Sequence, residues 1–292
     1  MRKMTKGEKI FNVFNVLILL ALVLVTLYPV LYVIFVSFSE PMKFMKNTES
    51  FLLGPVGFSL KSYEFVFKYG TIWSGYLNTI FVVVVGTSIN MVLTIGAAYV
   101  LSRRQLGARK FLTVAILFTR YFSGGLIPSF LIVRNIGLMN SLWALILPVA
   151  VNTFNLVIMR TAFDGVPESM EESAKLDGAN QLTILVKIMV PLVVPTIAVL
   201  ILYYGVYHWN SWFNAHLYIR KRNKYPLQLI LRELIIQNSS ANDVGLSSDD
   251  DAFLSETIKY STIVISTIPI LLLYPFLQKY FVKGVMVGAV KG

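Results

Sequence analysis

The chain has 292 residues, 56% of them hydrophobic and only 14% charged, with a mean hydropathy of +0.68 and a formal net charge of +11. Too little polar residue is present to coat a soluble globule of this length, which excludes a soluble enzyme and leaves an integral membrane protein. The absence of cysteine excludes disulfides, thiolate chemistry and Cys-ligated metals.

Crossing a hydrocarbon core of about 30 Å takes roughly 20 helical residues. Apolar runs of that length lie at about 11–38, 73–101, 111–133, 141–163, 192–216 and 257–281. They are unbroken rather than alternating, so the expected fold class is an all-α integral membrane protein with six transmembrane helices, a single domain over 1–292. The first run follows a basic start (Arg2, Lys3, Lys6, Lys9) but is too long for a signal-peptide core and lacks a small-residue cleavage site. It reads as a true span, followed by a connecting segment at 39–72.

The second run carries Asn78 and Asn90, which suit hydrogen bonds between helices. After it comes the basic loop "SRRQLGARK", with Arg103, Arg104, Arg109 and Lys110. Ten residues beyond Lys110, Arg120 should lie about 15 Å deep, where a charge is costly and faces a cavity or a partner. Two readings stand for it: a contact that favours an anionic substrate such as a uronate, or a structural pair with backbone carbonyls or with an acid on a partner chain. The "YFSGGLIP" that follows (Tyr121–Pro128) joins a Gly pair to a Pro and should bend the third helix. On the fourth run Asn152 and Asn155 are three apart and share a face, so they are further candidates for lining a path.

The segment 164–191, "DGVPESMEESAKLDGANQLTILVKIMVP", reads as helix, glycine turn, helix. Pro167 suits a first helical position, Glu168, Glu171 and Glu172 suit the positive N-terminal end, and Gly178 suits the stop. The small Ser173 and Ala174 let another protein approach the backbone closely.

Within the fifth run, "YYGVYHWNSWFNA" (203–215) packs seven rings and two asparagines into thirteen positions. Lipid alone would be met with Leu, Ile and Val. Counted as one helix from Pro191, Tyr203, Tyr207, Asn210 and Asn214 share a face, with Tyr204, His208 and Trp212 on the neighbouring stripe. Such a face suits a sugar, since rings stack on C–H faces while Asn, His and Tyr bond hydroxyls. The alternative is that these amides and the imidazole hold helices together, and that Trp209, Trp212 and Phe213 form an interfacial belt. A second long connection, 217–256, precedes the sixth run.

If six spans alternate, the N-terminus, the "SRRQLGARK" loop, Arg160 and the tail lysines fall on one side, so both termini are expected in the cytoplasm. The acidic "SSDDDAF" then lies outside, as does "IRKRNK" (219–224), which violates the positive-inside rule. The net positive charge suits this topology and anionic lipid, and makes nucleic acid an unneeded partner.

Glu172-Ser173-Ala174, Gly178 six residues after the Glu, Ile188 ten further and Pro191 three beyond resemble the EAA motif of the permease subunits of ABC importers (E-A-A, three residues, G, nine residues, I-x-L-P). Ser173 and Val190 depart from it conservatively. "ALILP", "MRTAFDGVPESMEESAKLDGA", "HWNSWFNA" and "QKYFVKGVMVGAVKG" look like the carbohydrate branch of that family, the one with maltose-type and Gram-positive oligosaccharide permeases. The resemblance implies an importer permease with six spans and a cytoplasmic coupling helix, in which Glu171, Glu172, Ser173, Ala174, Asp177 and Gly178 contact the ATPase. It further implies a second homologous permease, a cytoplasmic ATPase dimer that binds ATP and Mg, and an extracellular solute-binding protein, in a bacterial plasma membrane. No G-x-x-x-x-G-K-[ST] run is present, so no cofactor is expected in this chain and no catalytic or metal residue is assigned. The rival classes are an ion-coupled sugar carrier and a membrane enzyme acting on lipid-linked sugars; both want acids inside the spans, where the sequence places none.

Overall fold

Three of the apolar runs are bent pairs of helices rather than straight rods. In the computed structural model, which describes residues 5–47, 51–243 and 256–272, two helices are by themselves long and apolar enough to cross a membrane, and the bent pairs raise the number of spans to as many as five. The run at 257–281 is described only as far as 272, inside a helix at 256–272, so its span lies partly outside the described residues. The contacts divide the chain into two compact units, residues 1–70 with 231–268 and residues 71–230 with 269–292.

The first unit begins with α1 (Lys6–Ser37). Thr5 and Glu8 close a reciprocal capping box at its start, so two of its orphan backbone donors are satisfied. Its apolar side chains from Ile10 to Leu27 are exposed along the helix, which suits a rod surrounded by lipid. Beyond it come the short α2 (Pro41–Lys46) and α3 (Lys61–Lys68). Their connection is pinned to α1 by Tyr28, which stacks on Phe51 at 4.3 Å and accepts from Leu52 N, and by Ser39 Oγ, which accepts from Val56 N. Tyr63 of α3 donates to Ser37 Oγ at 2.7 Å, and Ser62 bonds Thr257 at the same distance.

The second unit is built on α4 (Ile72–Ser102), an unbroken helix of 31 residues that spans about 45 Å. It packs against α7 (Thr153–Asp164) and α11 (Val194–Asn210). Their shared core includes Met91, Tyr99, Met159, Phe163, Ile184, Met189 and Leu200. Between α4 and α7 lie α5 (Arg109–Tyr121), α6 (Leu126–Asn135) and the single 3₁₀ turns Leu142–Leu145 and Leu147–Val149. From α7 the chain continues through α8 (Glu168–Leu176), α9 (Gln181–Ile184), a π turn (Leu185–Met189) and α10 (Val190–Leu192) into α11. The unit closes with α12 (Phe213–Tyr218), a 3₁₀ turn (Arg222–Lys224) and the start of α13 (Leu227–Asp243).

Each bend has a chemical cause. α5 and α6 meet at 112° where Gly125 adopts φ +87, open to a residue without Cβ, with Pro128 in the next turn. This is the break expected after Arg120. The turn at Leu147–Val149 contains Pro148 and leads into α7 at 51°. The third bend, 85° at Val193, falls between Pro191 and Pro195, where a proline ring crowds the carbonyl four residues back.

That last bend corrects the count of one helix running from Pro191 through the aromatic stretch. α11 also stops at Asn210, and Ser211 and Trp212 separate it from α12. Asn214 therefore leaves the face shared by Tyr203, Tyr207 and Asn210, and Trp212 leaves the stripe of Tyr204 and His208.

Candidate functional site

Where helices break inside a membrane, backbone groups lose their partners and must find others within the protein. At the break before α7 the partners come from two neighbouring helices. Asn90, fully buried on α4, donates through Nδ2 to the carbonyls of Val149 at 2.9 Å and Ala150 at 2.7 Å. From α11, the Tyr204 hydroxyl accepts from Asn152 N at 3.1 Å and bonds Thr94 of α4 at 2.7 Å. Asn152 then caps α7, its Oδ1 accepting from the amides of Phe154 and Asn155. The segment from Val149, the end of the 3₁₀ turn, through the non-helical residues 150–152 is thus suspended from α4 and α11.

This suspended segment forms one wall of a cleft of about 370 Å³. Asn152, Asn155, Tyr203 and Tyr207, all expected along a path, line it together with Arg120, and so do Tyr204, Pro148 and Phe154. Arg120, at the end of α5, is exposed and makes no ion pair or hydrogen bond among the described residues. The arrangement offers flat rings, amides and one open guanidinium to whatever enters.

The remaining path candidates lie elsewhere. His208 is 2% exposed, and its Nε2 meets Asn90 Oδ1 at 2.7 Å. Because Asn90 spends its amide protons on two carbonyls, its oxygen accepts and His208 donates, so the imidazole is the Nε2–H tautomer. It is a bolt between α4 and α11, seated against Gly86, rather than a wall of the cleft. Asn210, Trp212 and Asn214 are also outside the cleft; Trp212 packs on the cluster of Val82, Leu145, Ala215 and Ile219. Asn90, Thr94 and Tyr204 are the residues whose importance the sequence understated: their partners are over 50 positions away, and only the inward spacing of Asn90 and Thr94, four apart on α4, hints at them.

At the C-terminal end of α4 lies α8. Pro167 precedes it as its cap, one position before the first helical residue where it was expected. Its end is a Schellman motif: Gly178 N bonds Lys175 O and Ala179 N bonds Ala174 O, with Gly178 at φ +80. The helix is two-sided. Glu171 and Ala174 are buried, whereas Glu172, Ser173, Asp177 and Gly178 are exposed, and Leu176 is 89% exposed.

The buried side is held by charge. Glu171 pairs with Arg103 at the C-cap of α4 and with Lys175 at 2.9 Å. Arg103 also lies over the Tyr99 ring at 4.4 Å, and Tyr99 OH donates to Gln181 Oε1 at 2.6 Å. Arg109 reaches Asp164 with both carboxylate oxygens within 3.2 Å, and Arg160 donates to Thr113. These contacts are half-sheltered; the Arg104–Glu168 pair at 3.0 Å is open to solvent and contributes little. Of the residues for which the resemblance implies an ATPase contact, Glu171 and Ala174 thus face inward, and Glu172, Ser173, Asp177 and Gly178 lie on the exposed side.

Residues 55–287 match the family described as the binding-protein-dependent transport system inner membrane component. The chain belongs to this family. Among its relatives, the polygalacturonan/rhamnogalacturonan transport system permease protein YtcP of Bacillus subtilis is 45% identical over 246 residues, covering 84% of this chain and 86% of that one. Protein LplC of the same organism is 41% identical over 243 residues, covering 83% and 82%. A solved bacterial ABC transporter involved in the import of the acidic polysaccharide alginate matches with a TM-score of 0.84 and 32% identity, over 96% of this chain and 100% of that one. As an inner membrane component of this transport family, the chain is an ABC transporter permease with the type I importer fold, a transport subunit and not an enzyme. The carrier and lipid-enzyme readings fall with that assignment.

Proposed function

We propose that the permease forms half of the pathway of an ATP-driven importer for acidic oligosaccharides, chains of uronate sugars, working by alternating access. The observation that carries the substrate class is Arg120. A cation inside a membrane bundle is costly, and this one faces a cleft lined by Tyr203, Tyr204 and Tyr207 with no acid in its lining among the described residues. A carboxylated sugar supplies the missing partner: its carboxylate answers the guanidinium, its C–H faces the rings and its hydroxyls Asn152 and Asn155. Two of the similar proteins, YtcP and the solved alginate importer, are named for acidic polysaccharides.

In this reading the chain crosses a bacterial plasma membrane six times as one transmembrane domain, with both termini and α8 in the cytoplasm. α8 is the coupling helix, presenting Glu172, Ser173, Leu176 and Asp177 to an ATPase dimer that binds ATP and Mg. A second, homologous permease completes the pathway, and an extracellular binding protein delivers the sugar. ATP-driven closure of the ATPase dimer moves α8, and the charged clasp carries that movement to α4 through Arg103 and to α5 through Asp164 and Arg109. Since Arg120 lies in the last turn of α5, the helix that receives the push also carries the cleft's cation.

The test is ATPase activity of the permease purified with its genomic neighbours and reconstituted in lipid with its binding protein. Trigalacturonate is expected to stimulate hydrolysis more than a neutral trisaccharide, and Arg120→Gln to abolish that preference. Equal stimulation by both sugars in the wild type would remove the substrate class while leaving the importer assignment in place.

A further inference from the structure

Within residues 71–230 the acidic charges are confined to one end of α4, whereas basic residues lie at both. All five acidic residues fall between 164 and 177, beside its C-terminal end, where Glu171 meets Arg103. At its N-terminal end the loop 219–225 is fastened: Asn78 of α4 donates to the carbonyls of Asn223 at 2.9 Å and Tyr225 at 3.0 Å. That loop reads Ile-Arg-Lys-Arg-Asn-Lys-Tyr, and no acidic residue of 71–230 accompanies it.

The loop is also built to a fixed shape. Asn140, at φ +58, accepts at Oδ1 from the backbone amides of Arg220 at 3.3 Å and Lys221 at 3.0 Å, and its carbonyl accepts from Lys224 Nζ at 2.8 Å. Its own N–H returns to Tyr218 O at 2.7 Å. Ile219 is buried beneath, whereas the side chains of Arg220 and Lys221 are exposed. Arg134, exposed at the last turn of α6, belongs to the same end: Gly137 N bonds its carbonyl, and the turn continues directly into Asn140. α6 has ten residues, so about 15 Å of helix separates this end from the Gly125 bend next to Arg120.

We infer that Arg220, Lys221 and Arg134 form a cationic lip that captures the carboxylates of an oligo-uronate and hands the chain to Arg120. The inference rests on the acidic-substrate reading and on this end being extracellular. It accounts for a cost the topology otherwise leaves unexplained, since basic residues next to spans are normally kept on the cytoplasmic side. A repeating polyanion suits several separated cations on a fixed frame, with potential focused toward the cleft. A protein partner would want aromatic or aliphatic anchors at the centre of its interface, and residues 220–224 offer none.

The experiment uses the complete transporter in proteoliposomes, with trigalacturonate as the probe, and compares wild type with the Arg220→Gln/Lys221→Gln double variant. With the sugar-loaded binding protein saturating, the uptake rate is expected to fall about 3- to 10-fold at low salt and to converge on the wild-type value at about 1 M salt, where charges are screened within about 3 Å. An unchanged rate in a protein that transports trigalacturonate overturns the lip alone. No uptake by the wild type removes the substrate reading and the lip with it. Weaker binding of the sugar-free binding protein to the double variant overturns the lip in favour of a protein contact. Orientation is checked with Asn223→Cys in both backgrounds, labelled by an impermeant maleimide in a chain without native cysteine; a changed orientation overturns the lip by giving the cations to topology.

Discussion

His208 gives its Nε2 proton to Asn90 Oδ1 across 2.7 Å, joining two helices through residues 118 positions apart. The same Asn90 holds the carbonyls of Val149 and Ala150, so one side chain locks α4, α11 and the wall of the cleft.

Asn90→Leu keeps the branched shape of the side chain and removes all three hydrogen bonds. Orphaned polar groups cost about 1–3 kcal/mol each in soluble cores, and interhelical bonds in membranes average about 0.6 kcal/mol. A loss of about 2 kcal/mol is expected, read as earlier thermal unfolding in detergent, with sugar-stimulated ATPase falling alongside because the cleft wall is no longer held.

Gly86→Ala places a Cβ 2.7 Å from His208 Nε2, closer than real Cβ atoms approach. Overpacking of this kind costs about 1–3 kcal/mol. Thermal stability should drop in the single variant and recover in part when His208→Ala is added, since the shorter side chain vacates the space. No recovery would mean that the strain lies in the backbones of α4 and α11.

Gly178→Ala puts a side chain at φ +80, where an L-residue costs about 1–2 kcal/mol. The Schellman end of α8 should loosen while the buried bundle stays folded. Co-purification of the ATPase is the measurement, and a wild-type yield would count against α8 as its contact.

Arg103→Met leaves Glu171 with Lys175 alone and detaches α8 from the end of α4. The complex should still assemble and hydrolyse ATP, but stimulation by sugar should fall several-fold. Arg104→Met, whose pair with Glu168 is exposed, is the control and should stay near wild type.

The sequence made legible what depends on local chemistry. Gly178 marked the end of α8, and Gly124, Gly125 and Pro128 marked the bend after Arg120, because such residues act on their own backbone. Pro191 and Pro195 were equally visible, yet the bend between them was not anticipated, since two prolines near the start of an apolar run are also compatible with a straight span. The stop at Asn210 carried no breaker at all, and it moved Asn214 off the face assigned to it. Burial partners such as Asn90 for His208 are fixed by packing across the unit and leave no local signature. Arg120, Asn152, Asn155, Tyr203 and Tyr207 were recognisable because polar atoms in apolar runs are costly wherever they end up.

Glu171 and Glu172 are chemically identical neighbours pointed about 100° apart around α8, one clamped inside and one displayed outside. Their difference lies in phase alone. Deleting a single residue between Pro167 and Glu171 would turn Glu172 into the buried slot and Glu171 out of it, and inserting one would turn both outward, without changing a side-chain type, so this helix tolerates conservative replacement on its displayed side far better than any change in its length.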